Sequence, residues 1–93
     1  PRTIFWLTIE PAAAKGFAEV QAAIRDDALT VRATGAQRIA VDLDRLTAGT
    51  VFTRIEAKSD GVLALDLMRG GTVRLSLSCD RSAAADVPAT VWR

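Results

Sequence analysis

Between residues 51 and 79 apolar and polar side chains alternate at period two, and this pattern limits what the chain can fold into more than any other feature. Val51, Thr53, Ile55 and Ala57 share one side of an extended segment, and Arg54, Glu56 and Lys58 share the other. Leu63, Leu65 and Leu67 group in the same way. Val73, Leu75, Leu77 and Cys79 follow, opposed by Arg74, Ser76 and Ser78. A helix turning every 3.6 residues would scatter these sets around its surface, whereas a pleated strand sorts them onto two faces. The pattern predicts half-buried antiparallel sheet. Turn signals at 58–61 (Lys-Ser-Asp-Gly) and 69–72 (Arg-Gly-Gly-Thr) divide the runs, and the second suits a two-residue hairpin loop.

Residues 28–44 extend the alternation. Leu29, Val31 and Ala33 alternate with Thr30, Arg32 and Thr34, a turn is expected at 34–37, and Ile39, Val41 and Leu43 then alternate with Ala40, Asp42 and Asp44. The tail from 80 to 89 is small and polar and reads as loop, with Thr90–Arg93 as a last short edge strand. Residues 11–25 fit two descriptions. Phe17, Val20 and Ile24 have helical spacing behind Pro11, while Gly16 followed by alternating Val20, Ala22 and Ile24 fits a loop and a strand, with Asp26-Asp27 as the hairpin turn. The expected fold is one all-β domain over residues 1–93, an antiparallel β-sandwich of about seven or eight strands and immunoglobulin-like size. The alternative is α+β, with a helix at 11–25.

The opening stretch 2–10 breaks the rule the rest obeys. As a single strand it would place Ile4, Trp6 and Thr8 on one side and Phe5, Leu7 and Ile9 on the other, apolar on both. The expected cause is that the chain is a piece of a larger protein and lends this ribbon to a neighbour. Phe5 and Trp6 then face opposite ways, so at most one enters the core. Phe5, Trp6 and, near the other end, Trp92 are candidate interface anchors or platforms for stacking a carbohydrate. Asp42 and Asp44, two apart on a predicted outward face, are candidate carboxylates for a shared cation or a sugar.

The residue types present restrict the chemistry. The chain has no His and no Tyr. Ser-His-Asp and Cys-His nucleophilic arrangements and His-based zinc or iron sites are therefore not encoded in it. No catalytic residue, cofactor or metal ligand set is predicted, and the domain itself is expected not to be an enzyme. The 12 basic and 11 acidic residues are spread along the chain for a net charge of +1, unlike the clustered basic stripe a nucleic acid selects. No apolar run approaches the roughly 20 residues of a membrane helix, so no membrane insertion is expected. Cys79 is the single cysteine and reads as a buried thiol, which leaves both a cytoplasmic and a secreted or periplasmic setting open.

The first half of the chain resembles the C-terminal β-domain of bacterial serine hydrolases of the prolyl-oligopeptidase and dienelactone-hydrolase kind. Trp6, Val20, Ile24, Leu29, Val31, Ile39, Val41 and Leu43 occupy the matching hydrophobic positions, without a gap from 17 to 43. Gly35-Ala36 stands where the family usually has Asn near the turn. The resemblance implies an accessory β-domain whose catalytic residues belong to a separate domain. The expected function is thus a non-catalytic module that packs on the catalytic domain of the same parent protein or on another protein partner. Two alternatives are a carbohydrate-binding module and a free-standing structural subunit that self-associates through a strand edge.

Overall fold

The computed structural model describes residues 2–4, 6–12, 16–47 and 49–93. Seven strand segments follow one another: β1 (Arg2–Ile4), β2 (Leu7–Pro11), β3 (Glu19–Arg25), β4 (Ala28–Thr34), β5 (Ala36–Asp42), β6 (Arg54–Arg69) and β7 (Thr72–Asp86). Short 3-10 turns lie at Leu43–Arg45 and Ala89–Trp92, and the described residues contain no α-helix. The chain is therefore mostly β, and the described residues of the stretch 11–25, where a helix was the alternative, form no helix. Residues 16–18 lead into β3 instead, whose Val20, Ala22 and Ile24 turn towards the core as the alternation requires.

All seven segments belong to one mixed sheet, not a purely antiparallel one. β4 and β5 both run parallel to β6, and they do so at a single offset. Ala28 faces Arg54 in the first ladder and Arg38 faces Ala64 in the second, 26 residues further along in each case. The expected turn at 34–37 is thus a kink in one long strand rather than a reversal, and counting β4 and β5 together leaves six strands. Gly35 makes the kink possible. Its φ is +70°, and a Cβ there would lie 2.3 Å from the Phe17 carbonyl oxygen. Its N–H donates to both carboxylate oxygens of Asp60 at 3.1 and 3.3 Å.

Asp60 explains a second departure from the sequence reading. Residues 58–61 do not turn the chain; they form a bulge inside β6, where Ser59, Asp60 and Gly61 face Arg81 alone. Arg81 takes a φ of +71° to match. The Lys-Ser-Asp-Gly signal was real as local backbone irregularity, but it serves to aim Asp60 across the sheet at Gly35. Sixteen residues of flat strand would span about 50 Å, yet the longest dimension of the molecule is 37 Å. The long strands therefore bend, and the bulge and the kink sit together where they do so. The result is a curled sheet.

The curl encloses the core. Leu29, Ile39, Ile55, Leu63, Leu65 and Leu67 are fully buried along the concave face, each contributing about 1.5–3 kcal/mol on the usual transfer scale. A connection from Leu43 to Thr53 carries the chain back from the end of β5 to the start of β6, as a parallel pairing demands. It delivers buried Leu43 and Phe52 into the same core. Cys79 is buried as expected, its sulfur 3.6 Å from the Ser59 hydroxyl.

The two tight hairpins were placed correctly. Asp26-Asp27 and Gly70-Gly71 each supply two successive positive φ values, the geometry that matches the twist of flanking strands. The tail was not. Residues 80–86 continue β7, with 82–86 pairing with 54–58 and Ala83 packed against the core. The last four residues form no strand: Ala89–Trp92 is a 3-10 turn opened by Pro88.

Candidate functional site

Two surfaces of this frame present groups that the fold does not use up. The first is an open groove of about 530 Å³ on the outer face of β3, β4, β6 and β7, lined by Gln21, Ala23, Thr30, Arg32, Glu56 and Lys58. Strand register builds it. Gln21 faces Arg32, Arg32 faces Lys58, and Lys58 faces Ser82, so one polar row crosses four strands. At about 4.8 Å per strand it runs roughly 14 Å. Ala23, Thr30, Glu56 and Ala84 form the neighbouring row and keep the floor low. Thr30 spends its hydroxyl on the Ala23 carbonyl at 3.2 Å, and Glu56 is held by Arg54 at 3.2 Å. Neither Arg32 nor Lys58 makes an ion pair with any described residue.

The second surface is the free edge of β7. This strand of 15 residues is hydrogen-bonded to β6 on one side, and no described residue pairs with its other side. Two irregularities divide the edge. Arg74 is an extra residue in the ladder, since Leu67 faces Leu75 while Met68 faces Val73, and Arg81 sits opposite the β6 bulge. Between these two arginines lies an uninterrupted stretch, Leu75–Asp80. Leu75 and Leu77 point to the core side and are only half-covered, while Ser76 and Ser78 face out.

The residues singled out from sequence fall elsewhere. The opening stretch is not one strand but the hairpin β1–β2, with Ile4 facing Leu7 and Trp6 in the turn. That reversal removes the puzzle of a ribbon apolar on both sides. Trp6 is half-buried against the core and its carbonyl accepts from the Asp42 N–H at 2.8 Å; Phe5 lies outside the described residues. Trp92 packs edge-on against Phe52, with ring centroids 4.9 Å apart at 84°, and donates its Nε1–H to the Phe52 carbonyl at 3.1 Å.

Asp42 ends β5, and Asp44 lies in the 3-10 turn rather than on a strand face. The Asp42 carboxylate accepts from the Asp44 N–H at 3.1 Å and pairs with Arg45 at 3.3 Å. The Asp44 carboxylate accepts from the Gly70 N–H at 2.6 Å and lies 3.7 Å from Arg69. Together with Thr8, Ala40, Met68 and Gly71 they line a dent of about 200 Å³. Their main work is local: they tie the β6–β7 hairpin to the corner after β5.

The buried polar residue among those described is Asp66, 5% exposed on the outer face of the other half of the sheet. Arg38 Nη1 reaches its carboxylate at 2.5 Å and Ser76 Oγ donates to it at 2.6 Å. Glu10 approaches the far side of Arg38 at 4.0 Å and accepts from Gln37 at 2.8 Å. The chain links strands β2, β5, β6 and β7, and the charge of Asp66 is balanced by a structural partner. No group of three or more His, Cys, Asp or Glu among the described residues is arranged to hold a metal ion, and none of their helices is long and apolar enough to cross a membrane.

Sequence reasoning missed the donor row because its members lie far apart in the chain. Arg32 and Lys58 meet only through a parallel register, and period-two patterning says nothing about which strands are neighbours. Exposed cations at outward positions of consecutive runs were the available signal. No family model, curated protein or solved structure matches this chain.

Proposed function

We propose that this chain is a non-catalytic accessory domain that joins a larger hydrolase-type protein by accepting a strand along the free edge of β7. The observation that carries the reading is the unpaired stretch Leu75–Asp80 with its half-covered leucines. An incoming strand would satisfy a row of free backbone N–H and C=O groups and extend the apolar face at the same time. Arg74, the extra residue of β7, and Arg81, opposite the β6 bulge, limit the invitation to about six residues, as edges that must avoid indiscriminate pairing require. The resemblance of the first half of the chain to serine-hydrolase β-domains and the lack of His and Tyr point the same way. In this reading the curl works as a sandwich, its two halves facing each other across a shared core. The bound neighbour is the catalytic domain of the parent polypeptide.

The test expresses the isolated 93-residue chain and mixes it with the polypeptide encoded upstream in the same gene. Saturable binding is expected, with no turnover of ester, peptide or glycoside substrates by the isolated chain. An initiator codon immediately before the codon for Pro1, or hydrolysis by the chain alone, overturns the reading. Tryptophan fluorescence that shifts on titration with a polysaccharide would favour a carbohydrate-binding module instead. A concentration-dependent dimer in sedimentation would make the edge partner a second copy.

A further inference from the structure

We infer that the row Gln21–Arg32–Lys58–Ser82 is a binding site for an acidic peptide segment, separate from the edge stretch Leu75–Asp80 of β7. Two like charges directly opposite on neighbouring strands repel and cost stability. Arg32 and Lys58 hold that position in register with no counter-ion from the described residues. The carboxylate that lines the groove, Glu56, is paired to Arg54. The charged residues lining the groove are Arg32 and Lys58 against Glu56, so the groove alone carries the net +1 of the whole chain.

The shape of the row selects the ligand class. A guanidinium offers a planar fork to a carboxylate, and an ammonium beside it adds a second charge-assisted donor. Gln21 and Ser82, at the two ends, carry neutral donors and acceptors suited to peptide groups. A lone inorganic anion would fill only the middle, whereas a strip of about 14 Å accommodates some four extended residues. The low floor of Ala23 and Ala84 leaves backbone room across the strands. No aromatic ring lines the groove among the described residues, which sets it apart from a sugar-stacking platform.

The experiment follows backbone amide shifts of the isotope-labelled 93-residue chain at low ionic strength during titration with blocked tetraglutamate, tetraglutamine and inorganic phosphate. Tetraglutamate is expected to move the amides of residues 21, 30–32, 56–58 and 82 saturably, tetraglutamine not at all, and added salt to weaken the effect. Arg32→Glu with Lys58→Glu is expected to weaken tetraglutamate binding tenfold or more, while Arg74→Glu on β7 changes it less than twofold. Retained amide dispersion shows that the double variant is folded. Should it fail to fold, Arg32→Gln and Lys58→Gln separately carry the same comparison. Equal losses in the groove variants and in Arg74→Glu would show general charge attraction and overturn the inference. So would binding of phosphate alone, or no saturable binding of tetraglutamate.

Discussion

Replacing Gly35 by alanine probes the bend on which the curl of the sheet rests. The position has φ +70°, and a left-handed conformation costs an alanine about 1–2 kcal/mol. The new methyl would start 2.3 Å from the Phe17 carbonyl oxygen, where ordinary contact begins at 3.4 Å. Backbone must therefore give by roughly 1 Å, at a cost comparable to overpacking a core, about 1–3 kcal/mol. The expected loss is about 3 kcal/mol, or roughly 12–24 °C in the unfolding midpoint of a domain this size. Two further glycines separate the contributions. Gly70 has φ +58° with nothing within 4 Å, so Gly70→Ala should lose only the conformational share. Gly61 meets nothing within 4 Å and its φ lies outside the left-handed range, so Gly61→Ala should be close to neutral. Urea unfolding followed by tryptophan fluorescence ranks the three. If Gly35→Ala falls within about 0.5 kcal/mol of Gly70→Ala, the close approach of the Phe17 carbonyl, and with it this explanation of the kink, is refuted.

Three other substitutions test separate parts of the frame. Asp66→Ala strands Ser76 and Arg38 without their acceptor and should cost about 1–3 kcal/mol in urea unfolding, with Asp66→Asn costing less; an unchanged midpoint would show the network to be idle. Lys58→Glu converts a like-charge neighbour of Arg32 into an opposite one and should raise stability by a few tenths to about 1 kcal/mol at low salt; a loss would mean that the pair does not repel. Trp92→Phe removes the hydrogen bond to the Phe52 carbonyl while keeping an aromatic ring against Phe52. It should lower the thermal midpoint by the equivalent of about 1 kcal/mol, and no change would place the C-terminal turn away from the core.

What was legible in the sequence was whatever local physics decides. Leu29, Val31, Ile55, Leu63 and Leu65 announced their inward faces by period two, and Asp26-Asp27 and Gly70-Gly71 announced tight reversals by their tolerance of positive φ. The illegible features all depend on distant partners. Lys58–Gly61 looks like a turn because its residues favour irregular backbone, and only the pairing of 54–58 with 82–86 and of 62–69 with 72–80 carries the strand through it. Residues 80–86 look like loop because Ala and Ser are poor strand formers in isolation, yet a paired neighbour overrides that preference. The hairpin at 4–7 has no Gly, Pro, Asn or Asp to signal it, so the stretch passed for one strand with two greasy faces. Of the candidate site residues, Trp92, Asp42 and Asp44 proved to have protein partners. The donor row and the β7 edge emerged only once register was known.

Amide hydrogen exchange along β7 bears most directly on the claim that this domain joins its neighbour by strand pairing. In the isolated monomer, residues 75–80 should alternate between slow amides bonded to β6 and fast amides facing the free edge. On assembly with the parent polypeptide the fast set should slow by tenfold or more, while the outer face of β3 stays unchanged. Uniform protection of residues 75–80 in the isolated monomer, or an alternation that survives assembly untouched, would contradict it.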